Sequence, residues 1–389
     1  MNIQPNKGIL LVIVLAQFFC TSVWFTGNAI LPLMIDIGKI PASFLPHITS
    51  SVQLGFIVGT FIFALMAIAD RISPSIVFFV CSLLAALFNV GICWDGINVY
   101  WILFFRFFTG IFLAGIYPVG MKIAADYFQI GLGKSLGYLV GALVLGKATP
   151  YLIISIISNS TWYYSFYVTS FMSVIGGLMI FLLVPDGPHR VVPKRMRFNG
   201  FIASFQKRNF KASALGYFGH MWELYSFWAF TPIIIKQYLS NHSALKWSIP
   251  VYSFFVIGIG AIACVSSGML STKISPKKIA SICLLLSASC CIISPFMLNL
   301  DSPLLFFIFL LFWGFVVIAD SPMFSTLIAN SAIPESKAAA LTIVNCIGFA
   351  ITIVSLQFLG LFSSIVHPNF LYMLLAIGPI FGWMAMKQD

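Results

Sequence analysis

The sequence predicts an all-α membrane protein with twelve transmembrane helices in two six-helix halves. Three observations predict it. Of the 389 residues, 60% are hydrophobic and only 8% are charged, and the mean hydropathy is +1.02. A water-soluble chain carries about 25% charge, so this one must be solvated by lipid. Apolar runs of spanning length, separated by polar breaks, recur along the whole chain. Two stretches also read as copies of each other. Ala69-Asp70-Arg71-Ile72-Ser73-Pro74, followed by Cys81-Ser82-Leu83-Leu84, returns as Ser271-Thr272-Lys273-Ile274-Ser275-Pro276, followed by Cys283-Leu284-Leu285-Leu286. Gly110 and Pro118 recur at a nearby offset as Gly314 and Pro322. A repeat made of hydrophobic spans is the construction of secondary transporters.

The elements follow in order. The first apolar run, 8–33, is long enough to span and is read as a retained helix rather than a cleaved leader. Spans two to six are placed at 46–69, 75–94, 98–121, 131–156 and 162–184. Each covers the ~30 Å hydrocarbon layer at a rise of about 1.5 Å per residue. Span five carries Gly137, Gly141 and Gly146 before Pro150, and the four-residue spacing of the first two suits close helix packing. The second half gives 211–236, 248–271, 278–298, 302–329, 337–364 and 368–386. In its fourth member, span ten, Pro322 of Asp320-Ser321-Pro322 removes the donor for the Ile318 carbonyl and locally opens the helix. The domains are therefore an amino-terminal half, 1–184, a basic linker, 185–210, and a carboxy-terminal half, 211–389. The linker carries Pro185, Pro188 and Pro193, and its 199–210 stretch suits a short basic amphipathic helix on the membrane surface.

The basic residues orient the bundle. Lys39, Lys236 and Lys246 fall on one side, Arg106 and Lys147 fall within spans, and the remaining Lys and Arg gather in the tails and the even-numbered connections. By the positive-inside rule both termini are cytoplasmic, in a membrane of the bacterial inner type. The net charge of +11 then reflects topology and contact with anionic lipid headgroups. The charges are scattered over hairpins rather than lining a groove, so no nucleic-acid partner is expected. All eight cysteines lie inside spans without Cys-x-x-Cys or Cys/His spacing, so neither a disulfide, a metal nor a cofactor is assigned. A monomer is expected.

Twelve spans in two repeats, a polar hairpin between helices two and three repeated between eight and nine, and a central basic loop resemble the major facilitator superfamily. The hairpin resembles that family's Gly-x-Leu-Ala-Asp-Arg-x-Gly-Arg-Arg signature and reads Met66-Ala67-Ile68-Ala69-Asp70-Arg71-Ile72-Ser73-Pro74-Ser75 here. Asp70 and Arg71 match, whereas the first glycine and the later Gly-Arg-Arg are missing. The second copy opens on Gly268 and has Thr272 in place of the aspartate. The resemblance implies that Asp70 and Arg71 gate conformational change rather than bind substrate. Arg106-Phe107-Phe108-Thr109-Gly110 is similar to the family's Arg-x-x-x-Gly stretch in helix four, whose arginine often faces the central cavity. Helix five lacks the Gly-Pro pair of the family's antiporter motif, which argues against efflux.

Ionisable residues inside spans carry the functional information, because a charge at bilayer depth costs at least ~2.5 kcal/mol on insertion scales. Five qualify: Arg106, Lys147, His220, Glu223 and Asp320. Arg106 and Lys147 fall at similar depth in one half, where no span of the sequence reading holds an acid, and two such cations suit an anion. A salt bridge, or Lys147 snorkelling to the surface, is the structural alternative. Trp24, Asn28, Tyr117 and Asn345 are added as candidate lining. In helix seven His220 and Glu223 are three apart and share a face, so His220 is expected to tune Glu223 as a proton carrier; the alternative is a packing hydrogen bond between the two. Asp320 lies nearer the cytoplasmic end and is read as a gating, pairing or coupling residue.

No converging nucleophile, base or metal set suggests an enzyme, and no Gly-rich phosphate loop suggests an ATP-driven pump. The expectation is proton-coupled uptake of a small organic anion. Proton-coupled efflux of a hydrophobic or cationic compound is the competing reading, since Glu223 and Asp320 serve a cation equally well.

Overall fold

The computed structural model describes residues 7–36, 40–128, 132–157, 161–190, 199–242, 245–333 and 337–387. Every regular element among the described residues is a helix. Contacts divide it into two compact units, Met1–Pro41 with Ser51–Met196, and Ala42–Ser50 with Arg197–Asp389.

In the first half of the chain the spans are α1 (Lys7–Thr21) with α2 (Thr26–Asp36), then α3 (Leu45–Leu65), α5 (Pro74–Val90), α6 (Val99–Leu113) with α7 (Tyr117–Tyr127), α8 (Leu132–Ile156) and α9 (Tyr164–Leu183), all in the first unit save the first six residues of α3. A one-turn helix, α4 (Ile68–Arg71), forms the hairpin between the second and third spans. Helix α1 packs on α8 and α9, while α5 packs on α9 and α6.

The second unit follows a short α10 (Asn199–Phe205). Its spans are α11 (Arg208–Asn241), α12 (Ile249–Leu270), α13 (Pro276–Leu298), α14 (Pro303–Ala319) with α15 (Ser321–Ser331), and α16 (Lys337–Phe362). The last is a 3₁₀ stretch, Pro368–Ala376, running into α17 (Ile377–Lys387). Helix α11 packs on α17 and α16, and α12 on α14.

Eleven helices among the described residues are long and apolar enough to cross a membrane. The long helix outside that set is α11, whose interior carries both His220 and Glu223. Twelve spans are consistent with this fold, and their bounds follow the apolar runs closely. Two differences stand out. The fourth span continues to Tyr127, which brings Lys122 and Asp126 onto a helix. The 199–210 stretch does not form a single surface helix. It breaks at Gln206–Lys207 between α10 and α11, and Ser204 is buried, its hydroxyl accepting from Ile333 N–H at 3.1 Å.

The repeat seen in the sequence has a packing basis. Spans four and ten both break one or more residues before a proline, Pro118 and Pro322. Gly110 abuts the Val52 carbonyl and Gly314 abuts the Val256 carbonyl, so that a β-carbon on either glycine would collide with backbone. Gly55 and Gly59 abut the Phe107 and Ile111 carbonyls in the same manner, a small-residue seam between α3 and α6. The Ile318 carbonyl, deprived of its donor by Pro322, lies 3.7 Å from the Cys264 thiol, which donates to it. At the polar hairpin Ala67 adopts φ 49°, a left-handed conformation that costs a non-glycine residue about 1–2 kcal/mol.

Candidate functional site

In the first unit the candidate residues gather at an interruption of the first span. Helix α1 ends at Thr21, Ser22–Trp24 forms a 3₁₀ turn, and α2 starts at Thr26. A helix end leaves carbonyls without intrahelical donors, and inside a membrane no solvent replaces them. Arg106, reaching across from α6, supplies the donors. Its guanidinium donates to Val23 O at 2.9 Å and to Trp24 O, and to Asn89 Oδ1 at 3.2 Å. Asn89 is fixed in turn, donating to Thr169 Oγ1 at 3.1 Å and Ser170 Oγ at 3.0 Å, while the Thr26 hydroxyl joins at Thr169 Oγ1, 3.1 Å away. Arg106 is wholly buried, and among the described residues no carboxylate forms an ion pair with it.

Lys147 grips the same turn from α8. Its Nζ lies 3.8 Å from the centroid of the Trp24 ring and 6.0 Å from that of Phe25, a cation held over aromatic faces. Trp24 also packs on Phe56 with ring centroids 4.8 Å apart. Lys147 is fully buried, so its ammonium does not snorkel to the surface. Two cations from different spans therefore meet one backbone break. Sequence reasoning set both at similar depth but missed what Arg106 holds, because neither a glycine nor a proline marks Ser22–Trp24. Asn28 is buried in α2, and Tyr117 is half-buried at the first residue of α7.

The second unit places its ionisable groups differently from the sequence expectation. His220 and Glu223 share a face of α11 yet do not bond each other. His220 Nδ1 lies 2.8 Å from Asp320 Oδ1, at the junction of α14 and α15. Glu223 Oε1 instead accepts from the Ser287 hydroxyl at 2.5 Å, from Trp313 Nε1–H at 2.6 Å and from the Cys291 thiol at 3.2 Å. Residues three apart diverge by about 60° around a helix, enough to aim His220 and Glu223 at different neighbours. Both acids and the imidazole are buried. Asn345 is half-buried in α16.

At the polar hairpin Asp70 pairs with Lys122 of α7 at 2.6 Å, whereas Arg71 points to the exterior. The arginine that engages the hairpin is Arg190, which donates to Asp70 O at 3.2 Å and Ile72 O at 3.0 Å and pairs with Asp186. The Ser73 hydroxyl donates to Asp186 at 2.6 Å. The chain leaving α9 is thus tied to the hairpin, a role for Lys122 and Arg190 that the signature alone did not reveal.

No curated protein matches the chain. Among solved structures it is similar to a bacterial homolog of the human lysosomal transporter Spinster in its inward-facing, unoccupied conformation, with a TM-score of 0.70 and 16% identity over 100% of this chain and 98% of that one. The same homolog in its inward-facing, occupied conformation matches with a TM-score of 0.71 and 14% identity over 98% and 96% of the respective chains. At such identities the likeness is one of fold. A family model, by contrast, aligns with residues 13–356, nearly the whole helical body, and with it the chain belongs to the major facilitator superfamily.

Proposed function

We propose that this secondary transporter carries a small organic anion and couples its uptake to protons. The observation that carries the reading is the convergence of two fully buried cations, Arg106 and Lys147, on one helix break, with no carboxylate in ion-pair contact with Arg106 among the described residues. A buried charge persists where it meets a partner or a substrate. An anion about 4 Å from one such cation gains about 4 kcal/mol at an effective dielectric of 20, the size of the whole free energy of millimolar binding. Lys147 is the substrate's partner, with the Trp24 ring beside it. Arg106, whose donors already serve Val23, Trp24 and Asn89, holds the break in shape.

Proton coupling draws on the buried acids of the second unit, Glu223 and Asp320, together with His220. The hairpin pair Asp70–Lys122 serves the conformational cycle. The excess of Lys and Arg in the tails and the even-numbered connections supports the reading that both termini face the cytoplasm, in a membrane of the bacterial inner type.

The test is thermal stabilisation of the purified protein by two ligand panels, one of mono- and dicarboxylates and phosphate esters, the other of quaternary-ammonium and aromatic cations. Binding to the folded state raises its stability with occupancy. Stabilisation confined to anions, and abolished in Lys147→Met, is expected. Stabilisation by cations alone overturns the reading and favours efflux of a cationic compound.

A further inference from the structure

The second unit buries two acids and engages them in opposite ways. Glu223 Oε1 receives three donors, Ser287 and Cys291 from α13 and Trp313 from α14. An indole N–H can only donate, so it needs this oxygen as an acceptor in every protonation state of Glu223. The carboxyl thereby ties α11 to both neighbours. Asp320 stands at the α14–α15 junction opened by Pro322, with Oδ1 2.8 Å from His220 Nδ1. Both side chains are 1–2% exposed. The other imidazole nitrogen, Nε2, is buried and has no hydrogen-bond partner among the described residues.

We propose that the His220–Asp320 pair is the proton-binding unit of the transporter and that Glu223 is a positioning residue. The proposal rests on the proton-coupled reading above. With His220 neutral and Asp320 ionised, the pair carries one negative charge. A proton taken up at Nε2 converts it to an imidazolium–carboxylate pair of zero net charge, with the 2.8 Å contact kept. Loading removes an uncompensated charge from an apolar interior, and unloading restores it. A change of access to Nε2 is then sufficient to take up or release the proton. Glu223 offers no such route at Oε1, where every neighbour is a donor.

The titratable surroundings of the pair are few. Glu223 on α11, Cys264 on α12 and Cys283 on α13 lie within reach of the Asp320 charge. The Tyr217 ring on α11 lies 6.0 Å from the imidazole. Helices α10, α14 and α15 contain no titratable side chain; α16 contributes Cys346 and, at its first residue, Lys337, and α17 only Lys387 at its end.

The experiment needs no substrate. pH-difference infrared spectroscopy of the purified full-length protein in liposomes follows the ring modes of imidazolium and the stretch of the carboxylate paired with it. Asp320→Asn is expected to abolish the coupled carboxylate and imidazole signal, while Glu223→Gln, which keeps an acceptor oxygen, retains it. His220→Gln is expected to remove the ring modes and, with them, the pH-dependent shift of the carboxylate stretch. Thermal melting verifies folding of each variant. Should Asp320→Asn fail to fold, His220→Gln decides the matter, and an unchanged carboxylate profile in it overturns the proposal. Loss of the signal in Glu223→Gln with Asp320→Asn unchanged also overturns the assignment and leaves proton coupling standing. A parent protein with no titrating buried carboxyl or imidazole defeats the coupling reading itself.

Discussion

Replacing Arg106 separates a structural clamp from a pure substrate ligand. Helix four of this family resembles a cavity-lining element, and on that resemblance Arg106→Ala loses transport while the fold survives. The structure predicts a different result. The guanidinium serves Val23 O, Trp24 O and Asn89 Oδ1, all buried, and its removal leaves these three acceptors without that donor. Each abandoned buried group costs about 1–3 kcal/mol, so the sum is roughly 3–9 kcal/mol before relaxation. Even the lower figure lowers the melting temperature by roughly 6–12 °C at 2–4 °C per kcal/mol. Arg106→Lys, with a single ammonium that cannot span the fork, is expected to fall between Ala and the parent. Thermal unfolding of the detergent-solubilised variants, followed by tryptophan fluorescence, is the assay. An Arg106→Ala protein melting within about 2 °C of the parent refutes the clamp, because that corresponds to about 1 kcal/mol or less.

Other consequences can be measured alongside. Lys147→Met is expected to melt close to the parent and to lose at least tenfold in affinity for any stabilising anion, since one cation contact of about 4 kcal/mol disappears; unchanged affinity moves the anion seat elsewhere. Asp70→Asn breaks a partly exposed ion pair worth no more than about 1 kcal/mol, so stability should barely change, while turnover slows more than substrate binding weakens. Equal losses in binding and rate argue against a gating role. Gly110→Ala and Gly314→Ala each force a β-carbon onto the carbonyl of Val52 or Val256, and both are expected to lower melting temperature and expression. Tolerance of both substitutions contradicts the packing basis of the repeat.

Much of the fold was legible because lipid imposes a coarse rule: a span is an uninterrupted apolar run, and polar hairpins separate the runs. The breaks of spans four and ten were marked in the sequence by Pro118 and Pro322. The break at Ser22–Trp24 was not, since its cause lies 80 or more positions away in Arg106 and Lys147. Candidate site residues came from the high cost of burying charge, which singled out Arg106, Lys147, His220, Glu223 and Asp320 without specifying their partners. Helical spacing suggested His220 with Glu223, but pairing depends on which helix lies opposite, and that information is tertiary. It joined His220 to Asp320 and Glu223 to Ser287, Cys291 and Trp313. The contacts of the polar hairpin were half visible: Asp70 stood in the signature beside Arg71, whereas its partner Lys122 and the engaging Arg190 lie outside it.

Proton-driven transport of an organic anion is decided by reconstituting the parent in liposomes, imposing an acid-outside pH gradient, and following internal accumulation of the anion that most stabilises the purified protein. The prediction is accumulation above the external concentration that collapses when a protonophore dissipates the gradient. Accumulation indifferent to the protonophore, or equilibration without accumulation under the same gradient, contradicts it.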